Sequence, residues 1–79
     1  MGMIMPDFSS TKELGQLIRA ERKAQGLTQE QLAAISGVGI RFVRELEQGK
    51  ESCQLGLAIK VMQTLGLRLS VAARSERAP

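Results

Sequence analysis

Histidine, the usual general base and a common metal ligand, is absent from this chain, and Cys53 is its only cysteine. No pair of carboxylates stands in a pocket-forming context, so neither a general base nor an activated nucleophile is assembled and no enzyme is expected. The same inventory excludes an internal disulfide, leaves a structural zinc site without its ordinary ligands, and implies no cofactor. What the chain does carry is a charged stretch between Thr28 and Lys50, where Arg41, Arg44 and Lys50 are interleaved with Glu30, Glu45 and Glu47. The net charge of +3 and isoelectric point of about 9.6 permit nucleic acid as a partner without demanding it. Within the stretch the acidic residues nearly cancel the basic ones, so charge alone does not decide.

The hydrophobic spacing supplies elements to hold these residues. Ser9 or Ser10 can cap a first helix, with Glu13 three residues after Ser10 as in a capping box. It is expected to run to about Gln25, with Leu14, Leu17 and Ile18 on one face and Gly26 as its stop. Thr28 caps a second helix, with Gln31 three residues on and Leu32 and Ala33 turned inward. Ser36-Gly37-Val38-Gly39 breaks the pattern. A third helix, Ile40–Gln48, places Val43 and Leu46 on its inner face and ends at Gly49. Ser52 can cap a fourth, from Cys53 to about Leu65, with Leu57, Ala58, Val61, Met62 and Leu65 inward and Gly66 closing it.

After Gly66 the period changes. Leu67, Leu69 and Val71 alternate with Arg68 and Ser70, the pattern of a half-buried strand. A lone strand leaves its backbone groups unpaired, so this one needs a partner. Residues 1–8 carry no periodic signal and are expected to be mobile, 9–71 form one domain, and 72–79 a short polar tail. At 79 residues and 43% hydrophobic content, one small domain is expected. Such a domain buries only about 60% of the surface its unfolded chain exposes. Of the usual supports (disulfide, metal, second subunit), only oligomerisation remains. The apolar start, Met1 to Pro6, is too short for a signal peptide or a membrane span, and Pro6 breaks the myristoylation pattern. With one thiol, taken as reduced, the cytoplasm is the expected location and no membrane partner is expected.

The stretch TQEQLAAISGVGIRFVRELEQGK, Thr28 to Lys50, has the parts of two short helices joined by a tight turn. Ala33 is small where the helices would cross, Gly37 sits where a positive φ is needed, and Val38, Val43 and Leu46 can plug the angle between them. With Leu27-Thr28-Gln29, Leu32-Ala33, Gly37-Val38 and Leu46-Glu47-Gln48-Gly49 in register, the segment from Leu14 to Leu65 strongly resembles the Cro/repressor-type (Xre-like) helix-turn-helix family.

The resemblance implies roles residue by residue. Arg22, four residues after Ile18 on the face that should be buried, would pair with Glu47. The third helix would lie in the major groove, with Ile40, Arg41 and Glu45 at base-reading positions and Arg44 reaching a base or a phosphate. Arg41 would fork onto guanine, Ile40 touch a thymine methyl, and Glu45 accept from cytosine N4. A local salt bridge from Glu45 to Arg41 is the competing reading. Gln29 would contact a phosphate at the start of the second helix, with Thr28, Gln48 and Lys50 at similar backbone-contacting positions. Departures from the family are Gly39, where a Ser or Thr cap is usual, and the apolar Ile35, Ile40 and Phe42, which are either core filler or contact residues.

Most relatives have a fifth helix after the position of Gly66. A strand there narrows the resemblance to HipB-type antitoxins, in which it pairs with its copy from the second subunit. The implied fold is all-α with one short C-terminal strand: a four-helix repressor-like domain whose strand, through Leu67, Leu69 and Val71, pairs across a homodimer. An edge strand folding back on Met3 to Met5 within one chain is the alternative. The implied function is a DNA-binding repressor on a two-fold operator, the antitoxin of a toxin–antitoxin pair that represses its own operon. Its partner would be a protein toxin, a HipA-like kinase or another. The competing function is a protein-interaction module that sequesters such a partner, with DNA binding secondary or lost.

Overall fold

Each of four helices contributes one side chain that is wholly shut off from solvent, Ile18, Leu32, Val43 and Val61, and the fold is built round their meeting point. The computed structural model describes residues 7–73. Its helices are α1 (Thr11–Ala24), α2 (Gln29–Ser36), α3 (Ile40–Gln48) and α4 (Leu55–Thr64). Ala33, Leu46, Ala58, Met62 and Leu65 complete the buried core. Burying each large aliphatic side chain contributes about 1.5–3 kcal/mol, the main force holding so short a chain together. In the chain α1 packs on α3, α3 on α2, and α2 on α4.

Local chemistry sets the boundaries. The Ser10 hydroxyl accepts from the Glu13 backbone N–H, and the Glu13 carboxylate accepts in return from the Ser9 backbone N–H and hydroxyl. Thr28 and Gln31 form a complete capping box at α2. Gly37 ends α2 in the left-handed region (φ 75°), and only three residues separate α2 from α3. Gly39 caps α3 without a side-chain hydrogen bond, so that helix start relies on packing alone.

Two expectations need correction at α4. It starts at Leu55, not Cys53, and its cap is Gln54, not Ser52, with no side-chain hydrogen bond. Cys53 packs against the core from non-helical backbone, and the helix begins two residues after that contact, past the extended Gln54. Leu57, placed on the inner face, is only half-buried.

Among the described residues no strand forms. Residues 67–73 leave α4 as irregular chain, anchored at its start by the Leu67 N–H donating to the Met62 carbonyl (2.8 Å). Leu67 packs against the core, whereas Leu69 and Val71 are exposed. The alternative partner segment, Met3 to Met5, lies outside the described residues, as do the rest of residues 1–6 and residues 74–79 of the expected tail.

Candidate nucleic-acid interface

A buried ion pair fixes how α2 and α3 are presented. Arg22 of α1 and Glu47 of α3 are each 7% exposed and meet through two hydrogen bonds, Nε to Oε2 at 2.7 Å and Nη2 to Oε1 at 3.1 Å. The remaining arm of the guanidinium, Nη1, donates to the Leu27 carbonyl (2.8 Å), in the loop that leads into α2. Burying either charge alone is costly, but the paired and hydrogen-bonded set is satisfied. Its position ties the end of α1, the loop before α2 and the end of α3 into one unit.

The pair reaches the surface through Gln29. Its side-chain amide donates to Glu47 Oε1 (3.0 Å), so this first residue of α2 is held over the buried carboxylate. Nothing in the spacing signals this contact, because the two residues are 18 apart in sequence. A shallow depression beside it is lined by Arg22, Gly26, Leu27, Thr28, Gln29, Ile40 and Arg44, with the acidic Glu30 among them. The structure therefore brings Thr28, Gln29, Ile40 and Arg44 to one place, where the first turn of α2 meets the start of α3. Backbone N–H groups of a helix start face outward there, a setting that favours anions.

Arg41, Glu45 and Lys50 form a second group on α3 and the loop after it. Glu45 Oε2 takes both Arg41 Nε and Lys50 Nζ at 3.3 Å. Partial burial pushes the Glu45 carboxyl up, but the hydrogen bonds and charges of Lys50 and then Arg41 outweigh it and hold it below its ordinary 4.5. The sign follows. A lowered pKa makes the Glu45 carboxylate stabilise the fold at neutral pH, and that contribution fades as pH falls below 4.5. Of the two readings of Glu45, the free chain adopts the local salt bridge. Arg41 keeps its two Nη groups toward solvent, its side chain 87% exposed. Gln48 is exposed at the last turn of α3 and belongs to neither group.

The apolar departures divide. Ile40 and Phe42 pack partly against the core, whereas Ile35 is 64% exposed on α2. Gly15, which sequence spacing did not single out, permits the close crossing of α1 on α3. A Cβ there would sit 2.5 Å from the Leu46 carbonyl oxygen and 2.6 Å from that of Glu47.

Comparison with known proteins agrees with this geometry. Residues 18–71 match the family model described as helix-turn-helix. An HTH-type transcriptional regulator of Sinorhizobium fredii is 45% identical over 65 residues, spanning 82% of this chain and 86% of that protein. Another, from Methanothermobacter thermautotrophicus, is 46% identical over 50 residues, covering 63% and 72% respectively. Among solved structures, a chain of the HipA–HipB–O2–O3 complex superposes with a TM-score of 0.81 at 21% identity, over 90% of this chain and all of that one. At 33% identity the restriction-modification controller protein C.AhdI from Aeromonas hydrophila gives 0.66, over 73% and 88%. Two short helices in an α2–turn–α3 angle, a buried Arg–Glu pair behind them and a match across most of the sequence lead to one conclusion: the chain belongs to the Cro/repressor-type (Xre-like) helix-turn-helix family of transcriptional regulators.

Proposed function

We propose that this protein is a dimeric, sequence-specific DNA-binding repressor, the antitoxin of a toxin–antitoxin pair that controls its own operon. The observation that carries the DNA reading is the joint surface of α2 and α3. The α2 start with Thr28 and Gln29 lies beside Ile40 and Arg44, and Arg41 stands exposed one residue into α3. α3 enters the major groove, Arg41 takes guanine O6 and N7 with its free Nη groups, and Ile40 meets a thymine methyl. Arg44, Thr28, Gln29, Gln48 and Lys50 hold phosphates and fix the register.

The dimer and antitoxin parts draw support from the chain after α4. Leu69 and Val71 are exposed apolar residues on an irregular segment whose backbone has no ladder among the described residues, so its strand-pattern side chains stand free for an intermolecular pair. The structures that superpose over nine-tenths of the chain include a HipB–O4 20mer complex and the HipA–HipB–O2–O3 complex. Two copies paired through Leu67, Leu69 and Val71 present two α3 helices to half-sites about 34 Å apart or a multiple of that. The toxin is a HipA-like kinase or another small protein encoded beside it.

Binding to the promoter region upstream of its own gene, followed from about 50 to 200 mM salt, tests the reading. Specific retention of that fragment with an affinity that falls steeply with salt is the expected result. Arg41→Ala should lower operator affinity by about 1–3 kcal/mol and relax selectivity at one base pair. Equal weakening on operator and random DNA would make Arg41 a phosphate contact only. The second reading, a module that sequesters a protein and no longer binds DNA, rests on the pairing of Arg41 and Lys50 with the one carboxylate of Glu45. Tight capture of the neighbouring gene product with no promoter retention would favour it.

A further inference from the structure

Glu45 stands between two cations on α3 and the loop after it, and its contacts are lopsided. Glu45 gives a single oxygen, Oε2, to both Arg41 and Lys50, while among the described residues Oε1 accepts no hydrogen bond. Its side chain is 27% exposed, so Oε1 is reachable from outside without unfolding anything. Of the cations expected to meet DNA, Arg41, Arg44 and Lys50, two are thus tied in the free protein to one shared carboxylate, which offsets one of their two charges.

We propose that Glu45 sets the selectivity of the surface by withholding Arg41 and Lys50 from phosphates and releasing the surface only to a base edge that offers an amino donor, the cytosine N4 group. This rests on the DNA-binding reading above. On random DNA, a phosphate must break an ion pair to gain Lys50, and it leaves a carboxylate facing a groove rich in acceptors. On the right sequence the cost vanishes. The Arg41 guanidinium, held through Nε, presents its two Nη groups to guanine O6 and N7, and Oε1 one helical turn away accepts from cytosine N4. A G·C pair carries both patterns side by side in the major groove, so the Arg41–Glu45 couple is its complement. Glu45 then acts as a specificity-determining residue whose main effect is to lower affinity for everything else.

The test compares wild type, Glu45→Gln and Glu21→Gln on two probes: a duplex selected by the wild-type protein from a random-sequence library, and the unselected library itself. Glu21 lies on α1, where its carboxylate takes only the Gln25 side-chain amide, so its variant matches the charge change away from the surface. Glu45→Gln should bind unselected DNA about tenfold more tightly at 0.1 M salt, the effect of about one freed phosphate contact, and its log–log salt slope should steepen by about one. Affinity for the selected duplex should rise less or fall, so the ratio drops at least severalfold, and selection repeated with the variant should lose a G·C position. Thermal melting of each variant establishes that the fold is intact. An unchanged ratio with wild-type slope would overturn the proposal, as would an equal gain from Glu21→Gln, which would reduce the effect to net charge. If the wild-type protein selects no sequence at all, it is the DNA-binding reading that fails, and the role of Glu45 fails with it.

Discussion

Arg22 and Glu47 are each other's only justification inside the core, since either one alone would be a buried charge without a counterpart. Glu47→Ala should therefore lower stability by about 3–5 kcal/mol, whereas Glu51→Ala, in an exposed turn, should change it by less than about 0.5 kcal/mol. Thermal or urea melts decide, and equal midpoints would show that the pair contributes nothing. Loss of Glu47 also frees the Gln29 amide, so a variant that still folds should bind DNA less well than its stability predicts. Cys53 gives a second residue-level expectation. Burial pushes its thiol above the ordinary 9.0, the Glu45 carboxylate pushes it further, and Lys50 only partly opposes them. The thiolate is the reactive form, so alkylation at pH 7 should be slower than for free cysteine and still rising above pH 9. Glu45→Gln should speed it modestly, because burial remains. A wild-type rate matching free cysteine would mean the thiol is not held as described.

The elements divide by whether their causes are local. α2 and α3 were legible from the sequence because Thr28 with Gln31 builds a capping box within four residues, and because Gly37 and Gly49 stand where the chain turns left-handed. The start of α4 was not. Ser52 offers the better local cap, but it lies in a turn and Cys53 packs against the core from non-helical backbone, a contact that no local rule contains. The Arg22–Glu47 pair was legible through two charges out of place, while the Gln29 tether was not, since a polar residue at a helix start is ordinary. Gly15 belongs with the illegible features. In an open helix, alanine would be favoured over glycine by about 1 kcal/mol. At Gly15 the added Cβ meets the backbone of α3 at Leu46 and Glu47, so Gly15→Ala should instead destabilise by about 1–3 kcal/mol as α1 is pushed off α3. Gly56, in the first turn of α4 with open space around it, is the matched comparison. Gly56→Ala should leave stability unchanged or raise it by a few tenths of a kcal/mol. Were both substitutions stabilising, the close α1–α3 crossing would be wrong.

At the scale of the whole molecule the unresolved tension is the chain after Gly66. Its alternation of Leu67, Leu69 and Val71 is a strand pattern, yet among the described residues nothing pairs with it, and Val71 is 90% exposed. Beside it, Ile59, Met62, Gln63, Leu67, Arg68 and Leu69 line a shallow, mostly apolar depression along α4. In the proposed dimer a second copy would resolve both features at once, its strand supplying backbone partners and its leucines covering the depression. Leu69→Pro separates this arrangement from any role of the segment within one chain. Proline removes the Leu69 N–H, which makes no backbone hydrogen bond among the described residues, and the residue before it, Arg68, already lies in non-helical backbone. The folded subunit should therefore lose little, and the tie of Leu67 to Met62 remains. A paired ladder cannot hold a proline in its middle, so the dimer should dissociate at micromolar concentration in sedimentation, while Arg68→Ala stays dimeric. Wild-type melting should shift upward with protein concentration, as expected when association stabilises the folded state, and the Leu69→Pro melt should not. Operator affinity should fall with it, although no residue of α2 or α3 has changed, because half of the contacts leave with the second subunit. A Leu69→Pro protein that remains a dimer and binds operator like wild type would place the subunit contact elsewhere, and the alternation after Gly66 would then be a pattern without a partner.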